Sequence, residues 1–369
     1  MVLAMNKQTA KIALLVSFIA FTMAVAVNAF SATLREEVTE KVTVSGETVL
    51  HVKNARGETI IVGKEGIREI YIEASKIVKT KNEEEAKKLM KLLTFEVERD
   101  GDEIRIVARH PDSDKEKRSI WSFFKGLHHR TAIDFTIEIP KAFDVKVTST
   151  SGDVQISSID GDAKIYGTSG DLRVSRIGGS SLLELTSGDV EIKDIGRRVE
   201  VKLSSGSAFI DGAGENLILT ATSGNVEAYK IGGNAEVKLV SGDLTLVDCK
   251  GDLNSVSSSG DMVIKNIGGS VSVSSSSGDV EIFLTPAEMR TYNLATCSGD
   301  VNVYYLNHLD LGFLLDINTM SGAIEGDMEI KLDQVSRRHL KGIVGNGKSE
   351  LVITTASGDV SINQGKKGK

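Results

Sequence analysis

Proline is nearly absent from this chain, with three residues in 369. Cysteine is scarcer still at two, and aromatic side chains make up only 5%. So little proline leaves room for long ladders of strands, since each proline removes a ladder hydrogen bond. Two cysteines exclude a disulfide framework and the paired-cysteine metal motifs. Beyond residue 27 no run is long and apolar enough to span a membrane as a helix. The formal charge is −7 and no basic cluster stands against it, so nucleic acid is excluded as a partner class. The chain has no Ser-His-Asp order, phosphate-binding loop or metal-ligand spacing, and no Asn-x-Ser/Thr sequon. These absences argue against catalysis and imply neither cofactor nor metal.

What is abundant is glycine, at 36, and its placement is periodic. A Ser-Gly pair begins at Ser151, Ser169, Ser187, Ser205, Ser223, Ser241, Ser259 and Ser277, a step of 18 residues each time. The turn glycines are therefore Gly152, Gly170, Gly188, Gly206, Gly224, Gly242, Gly260 and Gly278. Two and four residues after each come aliphatics such as Val190 and Ile192, and seven after comes Ile195 or its equivalent. A second alternating run follows, as in Val199, Val201 and Leu203, with Glu200 and Lys202 between. Period-two alternation means half-buried strands. A second glycine (Gly161, Gly178, Gly196, Gly214) divides each unit in two rather than in three, as a hexapeptide helix would require.

The fold class expected is all-β: a parallel β-solenoid with 18-residue coils of two short strands, each coil stabilised by its neighbours. Regular coils should occupy 141–284, with irregular coils and a cap over 285–363 and a disordered tail at 364–369. Cys249 falls in an inward column, and coil spacing holds it too far from Cys297 to bridge, so two free thiols are expected.

Residues 1–29 read as an export signal. Lys7 and Lys11 precede the apolar run Ile12–Val27, and Val27-Asn28-Ala29 suits cleavage. Cleavage would take the charge from −7 to −9, since those two lysines are the segment's only charged side chains. The alternative is an uncleaved membrane anchor. Residues 30–140 are expected to be irregular and β-rich, with one helix at 83–93 capped by Asn82. Within them, loop 111–130 gathers Trp121, Phe123, Phe124 and Leu127 beside Arg118 and Lys125. Such a segment is either a lid over the solenoid end or a docking element for a partner or an anionic surface.

The Asp that follows most turn glycines forms a column. A calcium ladder is one reading, but the Gly and Asp pattern is sparser than nonapeptide calcium repeats, and Ser207 and Asn225 interrupt it. The other reading is that these carboxylates accept hydrogen bonds from turn amides and serine hydroxyls.

The Thr-Ser-Gly-Asp-Val turns at 150–154 and 186–190, the strand ending Ile137-Glu138-Ile139-Pro140, and the closing Gly345-Asn346-Gly347 before Ser357-Gly358-Asp359-Val360 together resemble the bacterial "putative adhesin" family, a domain of unknown function. That resemblance implies an exported, envelope-associated β-solenoid without established catalytic residues. Export, the strict repeat and the missing catalytic constellation together point to a non-catalytic interaction scaffold, an adhesin of the cell envelope or surface. The alternatives are a regulatory module of an envelope-stress system, a self-assembling rod, or an enzyme acting on polysaccharide. The partner expected is an envelope component or a protein, with membrane contact and self-assembly both open.

Overall fold

The computed structural model describes residues 23–28, 31–111, 130–285, 289–305, 312–327 and 329–364. Alternation produces two facing sheets of sixteen strands each, closed over one continuous core. In each coil the strand after the Ser-Gly-Asp turn, such as Val154–Ile159, lies in the first sheet. The next, such as Ala163–Ser169, lies in the second. Pairing is parallel and in register at 18 residues: Val154 lies beside Leu172, and Ala163 beside Ser181. Val154, Ile156 and Ile159 are buried, as are Ala163 and Ile165 from the facing strand. The chain is thus a parallel β-solenoid with two short strands per coil.

Both corners of the coil need unusual backbone. The turn glycines hold φ between +110° and +146°, from Gly170 to Gly152. At Gly224 a Cβ would lie 1.9 Å from the carbonyl oxygen of Gly206, so the preceding coil fills the space a side chain would need. At the other corner Ser158, Arg176, Asp194, Lys230, Asp248 and Asn266 stack in the left-handed region, with φ of 55–63°. Gly212 takes the same place in its coil.

At both ends the spatial order departs from chain order. Val49–Arg56 lies between Glu103–Arg109 and Asp144–Ser151, and Thr59–Lys64 lies between Arg130–Pro140 and Val154–Ile159. At the far end Ser349–Ser357 inserts between Thr291–Ser298 and Phe313–Thr319. Val360–Gln364 likewise inserts between Val301–Tyr305 and Ile324–Gly326. The wider steps after Leu284 are therefore not successive coils, because the last coil of the chain sits inside the one before it.

Two long antiparallel strands, Ser31–Thr43 and Glu69–Thr80, extend the first sheet at the N-terminal end. The helix Glu83–Leu92 packs on them and buries Ala86, Leu89 and Met90. Asn82 caps it by accepting from the Glu84 amide at 2.8 Å. At the C-terminal end the hairpin of Lys331–Val335 and His339–Val344 extends the second sheet. Of the expected export segment 1–29, residues 1–22 and 29 lie outside the described residues. Met23–Asn28 pairs antiparallel with Ser31–Thr43. No described helix is long and apolar enough to cross a membrane.

Candidate interaction faces

Because register is fixed, each outward position repeats as a straight row along the solenoid. On the first sheet these rows bring together aromatics far apart in sequence. The rings of Phe209 and Tyr229 lie 5.8 Å apart, and those of Phe283 and Tyr304 stack at 4.8 Å, 17° from parallel. Lysines cap both groups: Lys193 lies 5.5 Å from the Phe209 ring and Lys265 4.5 Å from the Phe283 ring. These ring pairs join residues from different coils, which the linear order of the sequence does not bring together. The signal was the third and fifth residues after the turn glycine, where Phe209, Tyr229, Phe283 and Tyr304 all fall. These rings are poor platforms for a sugar, however. Phe283 has Tyr304 on one face and Lys265 on the other, so its faces are already engaged.

Beside Phe209 runs a shallow groove lined by Asp171, Arg173, Asp189, Glu191, Ser207 and Glu227. Of its four carboxylates, Asp171 and Glu191 meet cations. Arg173 lies 3.3 Å from Asp171 and 3.6 Å from Glu191, and Glu191 also meets Lys193. The Tyr229 hydroxyl donates to Glu227 at 3.0 Å, and burial, reinforced by that carboxylate, raises its pKa. On the second sheet Lys202 meets Glu184 at 2.8 Å and Glu200 at 3.5 Å, which raises the lysine's pKa.

The turn carboxylates have a specific occupation. Asp171 N–H donates to Asp153 Oδ1 at 2.9 Å, Asp189 to Asp171 at 3.0 Å, and Ser207 to Asp189 at 2.8 Å. The series resumes at Asn225 and runs through Asp243, Asp261, Asp279, Asp300 and Asp359 to the Ala323 amide. Each carboxylate thus accepts from the next coil's backbone. The amide-acceptor reading describes the column better than a calcium ladder, although the donors lie one coil away. Among the described residues no group of three or more His, Cys, Asp or Glu side chains is arranged to hold a metal ion. Ala323, without a carboxylate, occupies the outermost coil. Asp359, which has one, sits inside it.

Near the N-terminal end His51 is buried on the outer side of the second sheet, under its neighbours' side chains. Its Nδ1 meets Glu103 at 2.8 Å, and its Nε2 meets Thr148 Oγ1 at 3.3 Å. A carboxylate can only accept, so Nδ1 carries the proton and the neutral ring accepts from Thr148 at Nε2. Arg105 binds Glu103 at 2.5 Å and Asp100 at 2.8 Å. Burial lowers the pKa of His51, with Lys146 and Lys53 adding to the effect. The bond from Arg105 is the largest influence on Glu103, whose pKa is also lowered.

The expected docking residues Arg118, Trp121, Phe123, Phe124, Lys125 and Leu127 lie outside the described residues, as do His128 and His129. The segment leaves after Pro111 and returns at Arg130, at the N-terminal end of the stack. Cys249 is buried with its sulfur 3.2 Å from the Gly233 carbonyl, and Cys297 is exposed; both are free.

A family model described as Toastrack DUF4097 matches residues 129–214 and 197–363. This agrees with the family resemblance carried by the Ser-Gly-Asp turns. Among solved structures, one described as a "putative cell adhesion protein" from Clostridium sporogenes is 11% identical, covering 90% of this chain and 100% of its own, with a TM-score of 0.23. A "putative lipid binding protein" from Parabacteroides distasonis is 12% identical, covering 89% and 97%, with a TM-score of 0.31. A "putative adhesin" from Parabacteroides merdae is 9% identical, covering 89% and 96%, with a TM-score of 0.24. No curated protein matches the chain.

Proposed function

We propose, from the premise that this chain belongs to the Toastrack DUF4097 family, that it is a non-catalytic, exported scaffold of the cell envelope or surface. The observation that carries the reading is the unbroken in-register stack, whose outer faces array side chains in straight rows at coil spacing. Such rows suit many weak contacts along an extended partner. They converge on no one reacting centre. Charged groups on these faces answer one another locally, as Lys202 and Glu184 do, which favours a presented surface over an acid–base pair.

The test is co-sedimentation of the full chain with isolated envelope fractions, beside Trp121→Ala/Phe123→Ala/Phe124→Ala. Pelleting of the wild type supports the scaffold. Its loss in the folded variant assigns the contact to segment 111–130, which favours the regulatory-module alternative. Turnover of an envelope glycan by the purified chain would refute the non-catalytic reading.

A further inference from the structure

On the faces of the regular coils, most basic side chains have a carboxylate partner. Arg173, Lys193, Lys202 and Lys238 each lie within ion-pair distance of an Asp or Glu. Lys265, over the Phe283 ring, is an exception on the first sheet, and one strip of the second sheet gathers several. His51 is in register with Arg105 on one side and Lys146 on the other, and Lys146 is in register with Lys164. Four cationic or titratable side chains therefore occupy one outward row over four adjacent strands, at about 4.8 Å per step. Lys53 stands in the next row, beside Thr148.

Among the described residues, Lys53, Lys146 and Lys164 meet no carboxylate. Glu103 is engaged by His51 and Arg105. Asp144 and Asp162 each give one oxygen to a neighbouring coil's amide. Lys146 instead lies 5.7 Å from the Tyr166 ring. Like charges in register destabilise a sheet. Elsewhere the sequence answers them one coil away, as Glu184 answers Lys202; here the next residue in the row is Leu182.

We propose that this strip, centred on Lys53, Lys146 and Lys164, docks on the phosphate-bearing headgroups of an anionic lipid surface. Two observations favour lipid over a soluble polyanion. The row is short, ending at Leu182, whereas a polymer would favour a longer track. The strip also lies toward the N-terminal end of the stack, where Met23–Asn28, the described end of the apolar run, pairs with Ser31–Thr43. Lysines near an anionic bilayer each contribute an electrostatic attraction that salt screens. The inference rests on the envelope reading and names the component contacted.

The experiment is sedimentation of the full chain with vesicles of phosphatidylcholine, alone or mixed with phosphatidylglycerol, at low and high salt. Wild type should bind the anionic vesicles more tightly than the neutral ones and lose that preference in high salt. Lys53→Glu/Lys146→Glu/Lys164→Glu should weaken anionic binding about tenfold or more. Lys53→Arg/Lys146→Arg/Lys164→Arg should retain it, and Lys193→Glu/Lys238→Glu should change it far less. Thermal melting checks that each variant folds. Equal binding to both vesicles, or unchanged binding by Lys53→Glu/Lys146→Glu/Lys164→Glu, overturns the proposal. So does capture by soluble polyphosphate without vesicle binding. Pelleting with envelope fractions but not with lipid vesicles sinks this inference alone and leaves the scaffold reading intact.

Discussion

The side-chain oxygen Oδ1 of Asp153 accepts a hydrogen bond from the backbone N–H of Asp171, one coil further along, at 2.9 Å. Repeated through the stack, this contact turns a column of like charges into a set of amide caps. Each bond resembles a helix N-cap in kind, and losing one should cost about 1 kcal/mol. Asp171→Ala should therefore lower stability by about that amount in urea denaturation. No corresponding bond joins Ser207 to Asn225 among the described residues. Ser207→Asp supplies the missing acceptor and should raise stability by about 0.5–1 kcal/mol. A loss of stability there would mean that carboxylate repulsion outweighs the cap.

The core makes a second, larger prediction. Val201 has no exposed surface and lies in register between Leu183 and Leu219. Val201→Asp would bury a charge with no partner and should cost several kcal/mol, about 3 or more. Lys202, one residue on, points outward, and Lys202→Asp should cost less than about 1 kcal/mol. Thermal melting of the pair separates the two faces of one strand. Equal effects would contradict the alternation.

The repeat was legible in the sequence because stacking forces it. A residue at Val154 must suit the same place as Leu172, so the period is printed in the inward columns. What depends on which coil lies beside which was not legible. The insertion of 349–364 inside 313–326 follows a long hairpin that composition does not distinguish from a loop. The Phe283–Tyr304 stack spans a break in the 18-residue step, where counting fails. The amide caps were half legible: the Asp column was plain, but its donors belong to the next coil. The docking residues around Trp121 lie outside the described residues.

The left-handed corner gives a third prediction. Arg176 holds φ at 55°, where a side chain is strained and glycine is not. Gly212 already occupies the equivalent place. Arg176→Gly should stabilise the chain by about 0.5–1 kcal/mol, the relief of strain exceeding the added unfolded-state entropy. The bond from Arg176 Nε to Ser158 Oγ at 3.0 Å is exposed and offsets little of this. Urea midpoints at an unchanged slope would register the gain. A destabilised variant would show that Arg176 contributes more through its contacts than its backbone costs.

The last prediction concerns pH. His51 has a folded-state pKa below its ordinary value, mainly because burial disfavours the imidazolium. On acidification the unfolded chain therefore takes up a proton first, from about pH 6.5 downward. Bound protons are then more numerous in the unfolded state, so stability falls as pH falls. Glu103 acts in the same direction at lower pH. Its pKa is lowered, first by Arg105, so the stability it contributes is present above the unfolded-state value and lost as pH drops through the folded one. His51→Gln keeps an amide donor for Glu103 and removes the imidazole's titration. The variant should show a flatter dependence of unfolding free energy between neutral pH and about pH 5, and a smaller change of slope in the carboxylate range below, because Arg105 is the largest cause of Glu103's lowered pKa and remains. Urea denaturation of both proteins across that range checks it. Parallel curves would mean that His51 becomes protonated in place, with Glu103 as its counter-ion, and that burial does not govern the site.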